Sequence, residues 1–310
     1  MHSTDMTFTS GGVTFAGTLA TPAGTGPFAA ALVVPGSGPV DRDSNHKRMP
    51  LGITRELAEA LTAAGVATLR YDKRGVGATP GDWREAGFDT TTDDVRTALA
   101  ALRARPEVDA SRVVVVGHSE GALHATRVAA DDGDLAGVVL LSGSATPGEE
   151  LLRWQARQVA ATLPRAVRVL LAVLRTDLVE KSEKNRQQIK ASTGAVVRVG
   201  GQKLNAAWHR EFMAYDPRVD LARIAVPVLA VTGGKDLQTK ASDLAVIESL
   251  VRGPVEVEEV PDVSHVLRRQ PGPASLSAYK KEIRESLDER VVGRVVAWVT
   301  RQVRTTTADA

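Results

Sequence analysis

Apolar and polar positions follow two different rhythms along this chain. Residues 7–20 alternate with a period of two around Ser10-Gly11-Gly12, which predicts an antiparallel hairpin. From Phe28 the rhythm changes. Phe28–Val34 is an unbroken apolar run that stops at Pro35-Gly36-Ser37-Gly38-Pro39. Runs of this length without alternation predict strands buried on both faces, as in a parallel sheet. Val66–Tyr71, Arg112–Val116, Leu135–Leu141, Pro227–Val231 and Val255–Val260 read as further strands. Helical spacing separates them at Ile53–Ala64, Asp93–Arg105, Ala122–Ala130 and about 240–251, and a closing helix is predicted over roughly 276–303. Alternating strand and helix on this scale predict an α/β fold: a mostly parallel, doubly wound sheet with right-handed crossovers.

The rhythm breaks between 145 and 222. Trp154, Val159, Leu163, Val167, Leu170, Leu171 and Leu174 keep a loosely helical spacing there, without a strand–helix–strand unit. The expected organisation is therefore a core of residues 1–144 and 223–310 carrying a helical insertion at 145–222. Residues 151–203 hold eleven Lys or Arg against three Asp or Glu. Solvated helix faces explain such an excess; attraction of an anionic substrate or a lipid surface is the other reading. The tail 305–310 is expected to fray.

Composition narrows the chemistry. A chain of 310 residues buries enough surface to hold a core without a metal or a disulfide. It has no cysteine, which removes thiolate metal sites and a cysteine nucleophile. A net charge of +2 requires no polyanionic partner, so nucleic acid binding is not expected. The first residues lack the basic and apolar stretches of a secretory leader, and no apolar run reaches about 18 residues. A cytoplasmic chain without integral membrane association is expected, and a homodimer is left open.

The strongest motif is Gly117-His118-Ser119-Glu120-Gly121, set between a run of valines and a helix. A serine on such a strand-to-helix turn projects its hydroxyl from the sheet, and the helix N-terminus favours developing negative charge. The plainer reading is a Gly-Ser helix cap. A serine nucleophile needs a base. Of the six histidines, His265 follows the last strand on the edge where functional loops of parallel sheets gather. His46, in the loop after the first parallel strand, competes with it. His118 is expected to point sideways and His124 to pack. The acid that orients the base is expected at Asp236, at the end of the penultimate strand; Asp262 is the rival, and a helix cap is the alternative role for Asp236. Ser119, Asp236 and His265 then run nucleophile, acid, base along the chain. The oxyanion hole is expected from the backbone N–H of Glu120 and of Ser37, with Gly38 next. A dinucleotide fingerprint fails because Asp41 stands where a third glycine belongs, and no P-loop follows any strand.

With these motifs in order, residues 28–303 resemble an α/β-hydrolase. Asp72-Lys73-Arg74-Gly75-Val76-Gly77 is similar to a D-x-R-G-x-G turn found in such enzymes. The stretch 35–43 is similar to a bacterial serine esterase branch near the serine-aminopeptidase-like and dienelactone-hydrolase-like groups. The resemblance implies acyl transfer to water, a cap at 145–222, and neither a metal nor an organic cofactor. Short- to medium-chain carboxylic esters are the expected substrates. Gly38, Trp154 and Trp208 are candidate substrate contacts, with Trp83 also in reach, and Leu163, Leu170, Leu171 and Leu174 could line an acyl pocket. Asp41-Arg42-Asp43 is expected to clamp the oxyanion loop through ion pairs. An aminopeptidase holding a substrate amine at Glu120 or Asp41, a lactone or thioester hydrolase, and a small-molecule receptor are the alternatives.

Overall fold

The structure is a computed structural model that describes residues 1–47, 49–163, 167, 173–174 and 177–305. In chain order its elements are β1 (His2–Ser10), β2 (Val13–Thr21), β3 (Phe28–Val34), β4 (Asn45–His46), β5 (Met49–Pro50), α1 (Ile53–Ala63), β6 (Ala67–Tyr71), α2 (Phe88–Arg103), β7 (Val108–His118), α3 (Glu120–Asp131) and β8 (Gly137–Leu141). They continue with α4 (Gly148–Thr162), α5 (Leu178–Lys190), β9 (Val196–Val199), β10 (Gln202–Asn205), α6 (Ala206–Ala214), α7 (Pro217–Leu221), β11 (Val228–Gly233), α8 (Asp243–Leu250), β12 (Val255–Val260), α9 (Tyr279–Glu282) and α10 (Glu289–Thr305).

Eight strands form one sheet in the order β1-β2-β6-β3-β7-β8-β11-β12. β1, β2 and β6 pair antiparallel, and every pairing from β6 to β12 is parallel. Val113 to Val116 are fully buried because helices cover both faces of the sheet. On one face α2, α3 and α8 pack over Leu32, Val115, Leu140 and Ala230. On the other, α1 and α10 cover Ala31, Val116, Leu141 and Val231, with Trp298 at 1% exposure. Each fully buried Val or Leu contributes roughly 1.5–3 kcal/mol relative to an exposed position, so the sheet is the rigid part of the molecule.

Three predictions are corrected. The segment 145–222 is not purely helical, because β9 and β10 form an antiparallel hairpin. Its turn is Gly200-Gly201, both with positive φ, the requirement of the two-residue turn that matches strand twist. The closing helix is broken. Leu287 turns inward, its N–H donates to Glu56 Oε2, and the Asp288 N–H donates to the Leu267 carbonyl. Asp288 then accepts from the Arg290 amide at the start of α10. α2 also starts at Phe88 rather than Asp93. The expected fraying tail from 306 on, and Leu170 and Leu171, lie outside the described residues.

Candidate active site

β7 ends in a turn that only its sequence permits. Ser119 sits at φ 57°, ψ −118°, a strained conformation for a residue with a side chain. The flanking glycines let strand and helix approach. A Cβ on Gly117 would lie 2.2 Å from the Gly121 carbonyl oxygen, and one on Gly121 would lie 2.3 Å from that of Val34. The turn holds Ser119 at the carboxyl edge of the sheet, where its N–H donates to the Leu141 carbonyl.

Two other strand ends bring their loops to the same edge. Asp236 follows β11 and His265 follows β12. His265 Nε2 lies 3.0 Å from Ser119 Oγ, and His265 Nδ1 lies 2.8 Å from Asp236 Oδ2. A carboxylate only accepts, so Nδ1 carries the proton and Nε2 is left to accept from the serine hydroxyl. The Asp236 side chain is fully buried. Its Oδ1 accepts the N–H groups of Gln238 and Thr239, and Oδ2 also accepts the Thr239 hydroxyl. Burial alone would raise this carboxyl; His265 and the amide donors outweigh it and hold it below the ordinary carboxylate range. The rival, Asp262, faces outward and pairs with Arg269 and Arg290.

His118 packs inward rather than sideways. Its ring is buried, and Nε2 donates to the His265 backbone carbonyl at 2.9 Å. Burial and the neighbouring His265 push it down to about 3, so it stays neutral. His124 is buried as expected and donates from Nε2 to Glu120 Oε1 at 3.2 Å. His46 lies on β4, on the wall of a cavity that also includes Ser119 and His265, but the partner of Ser119 Oγ is His265.

Ser37 and Glu120 both border one cavity beside the serine turn. Among the described residues, neither backbone N–H donates to a protein acceptor. The Glu120 side chain is buried and pairs with Lys73 at 3.0 Å. Burial would raise it, but Lys73 and His124 outweigh burial and hold it at about 2. By sequence Lys73 belongs to the D-x-R-G-x-G turn, which carries no expected role at the site. It reaches Glu120 across 47 positions of sequence, a contact without a local signal.

Two cavities adjoin Ser37. The first, about 400 Å³, includes Ser119, His265, Gln238, Val266 and Tyr279. The second, about 240 Å³, runs beneath the inserted segment past Gly38, Lys73, Glu120, Trp83, Trp208 and His209. Gly38 and Trp208 line the second of these cavities. Trp154 lines neither of them; like Trp208, it packs against the cluster of Phe88, Leu123, Leu151 and Phe212. Leu174 is 62% exposed. The described basic residues of 151–203 line neither cavity, and several are tied up within the segment, as Arg153 is with Glu149 and Glu183.

The expected clamp is built differently. Arg42 makes a two-pronged pair with Asp72 and donates to Thr18 Oγ1, while Asp43 pairs with Arg70. Among the described residues Asp41 makes no such pair; its Oδ1 caps a turn by accepting the N–H groups of Asp43 and Asn45.

A parallel sheet with a serine turn and with acid and histidine loops on one edge defines the α/β-hydrolase fold. The family model for "Serine aminopeptidase, S33" matches residues 50–269, and the chain belongs to that family. It is 27% identical over 288 residues to Esterase EstD from Thermotoga maritima, covering 92% of this chain and 65% of EstD. Among solved structures it is similar to Est1E from Butyrivibrio proteoclasticus with ferulic acid bound, at TM-score 0.66 and 16% identity, covering 96% of this chain and 99% of that one. It is also similar to the esterase domain of a Rhodothermus marinus protein, at TM-score 0.59 and 21% identity, covering 98% and 100%. These two likenesses speak to the fold. No described helix is long and apolar enough to cross a membrane.

Proposed function

We propose that the chain is a serine hydrolase that cleaves carboxylic esters through an acyl-enzyme. The observation that carries the reading is the unbroken line Ser119 Oγ, His265 Nε2, His265 Nδ1, Asp236 Oδ2. Ser119 Oγ attacks the ester carbonyl while His265 takes its proton. The carbonyl oxygen gains negative charge and is received by the N–H groups of Ser37 and Glu120. Collapse breaks the bond to the leaving alkoxide, which takes the proton from His265. Water, deprotonated by the same histidine, then attacks the acyl-serine and releases the acid. The named activity of EstD supports the ester as substrate class.

The segment 145–222 acts as a cap in this reading, with the acyl group entering the cavity beneath it. Trp83 and Trp208 supply an apolar wall there, and the small volume favours short- to medium-chain acyl groups. One observation favours aminopeptidase activity as a second reading. Glu120 borders the same cavity, and among the described residues its Oε2 has no hydrogen-bond partner. A substrate ammonium would supply one.

The test compares wild type with Ser119→Ala on p-nitrophenyl esters from acetate to laurate, alongside an aminoacyl p-nitroanilide. The expected result is turnover of the shorter esters, with kcat reduced about 10⁴- to 10⁶-fold in the variant. Turnover of the anilide alone supports the second reading. Ester turnover that survives in Ser119→Ala refutes both.

A further inference from the structure

We propose that Lys73 is a positioning residue of the oxyanion hole, holding its two halves in register; this rests on the serine-hydrolase reading above. Lys73 follows β6 and belongs to neither loop that carries an oxyanion donor. Its Nζ donates to the Gly36 carbonyl oxygen at 3.2 Å and to Glu120 Oε1 at 3.0 Å. Those partners have a specific relation to the donors. The Gly36 carbonyl and the Ser37 N–H are the two ends of one planar peptide group and point in opposite directions. Fixing the oxygen fixes the direction of the N–H. The second partner, Glu120, carries the other donor on its own backbone. One ammonium thus ties the peptide that offers one N–H to the residue that offers the other.

The electrostatics act in the same sense. A charged donor on the Gly36 carbonyl polarises that amide and strengthens its N–H as a donor. Lys73 and Glu120 are 15% and 3% exposed in their side chains, so solvent screens this little. Glu120 Oε1 is held from behind by His124, which itself lies 2.9 Å from Thr92 Oγ1 on α2. The ammonium is anchored on the helix side and pulls on the loop side. The Ser37 loop has no regular secondary structure of its own at Gly36 to Gly38, so an outside anchor has work to do there.

An ion pair serving stability alone would leave the chemistry untouched once the fold is restored, and this separates the two roles. Lys73→Met removes the anchor but strands the Glu120 carboxylate; Lys73→Met/Glu120→Gln removes the stranded charge as well. Both are compared with wild type for thermal midpoint, for kcat and KM on p-nitrophenyl acetate, and for inhibition by an alkyl trifluoromethyl ketone. That ketone forms a hemiketal with the serine whose oxyanion needs the hole. The expected result for both variants is a kcat about 10- to 100-fold lower, with KM within about threefold of wild type. Affinity for the ketone should fall by the same factor as kcat, and the double variant should recover its thermal midpoint without recovering kcat. The proposal is overturned if kcat and ketone affinity stay within twofold of wild type in either folded variant, or if the double variant recovers both. Failure of the underlying reading looks different, because Ser119→Ala would then keep the activity of wild type.

Discussion

The carboxyl edge of the sheet and the segment 145–222 differ in how their positions are fixed. At the sheet edge, Ser119, Asp236 and His265 each leave the end of a strand whose neighbours are locked by parallel pairing, and both carboxylate oxygens of Asp236 have donors. In 145–222 the elements rest on small local clusters, such as Ile189, Val199, Ala206 and Met213, and on surface ion pairs such as Lys184–Glu180. Exposed pairs of that kind contribute little, around 0–1 kcal/mol. The reacting geometry is built on the rigid part, whereas one side of the second cavity, with Leu204 and Trp208, is built on the adaptable part. Substitutions at the edge should abolish activity, whereas substitutions in the segment should redirect it.

The largest effect should come from Asp236→Asn. The amide would present a donor to Nδ1 and favour the wrong tautomer, so kcat should fall about 10⁴-fold with little change in KM. Steady-state kinetics check this; a loss below tenfold would remove Asp236 from the role of orienting His265. Next is Gly121→Ala. Its Cβ would meet the Val34 carbonyl at 2.3 Å, backbone that has no room to yield. Destabilisation of about 3 kcal/mol or more is expected in denaturant melts. An equally stable variant would show that the serine turn is not as tight as described.

The segment gives milder and more informative results. Trp208→Ala should shift acyl-chain preference toward longer or bulkier esters, because the ring lines the cavity. It should also cost stability, since Trp208 stacks on Phe212 at 4.7 Å. Trp154→Ala should cost stability only. A changed chain-length profile for Trp154→Ala would mean that it reaches the substrate after all.

The smallest effect is on pH. His118 is held at about 3 in the fold against an ordinary value of 6.5, so the unfolded chain binds the extra proton between those values. Its contribution is full above about pH 6.5 and is lost as pH falls toward 3. Glu120 and Asp236, both held low, add acid sensitivity below about pH 4.5. His118→Gln should flatten the stability profile between pH 6.5 and 4.5; an unchanged slope in urea melts across that range would contradict the assignment.

Much of the sheet edge was legible because it is written locally. Continuous runs such as Phe28–Val34 announce doubly buried strands, and a serine between two glycines announces the turn. Asp236 and His265 are legible because strands of a parallel sheet end on one edge. The choice of Asp236 over Asp262 was not legible beyond its place at a strand end. It rests on Arg269 and Arg290 drawing Asp262 outward. The hairpin β9–β10 did carry a signal, Gly200-Gly201 between two short runs, but the helical spacing on either side masked it. Lys73 at Glu120 and Arg42 at Asp72 carried none. Such contacts between distant positions arise only when the strands are in place.

The most direct test of the central claim is covalent. Wild type and Ser119→Ala are each treated with one equivalent of an alkyl fluorophosphonate and followed by intact-mass and peptide mass spectrometry. A single adduct on the peptide carrying Ser119 in wild type, formed in step with loss of ester hydrolysis and absent from the variant, is the predicted result. Full loss of hydrolysis with the adduct on another residue, or persistent hydrolysis with Ser119 fully labelled, would contradict the account.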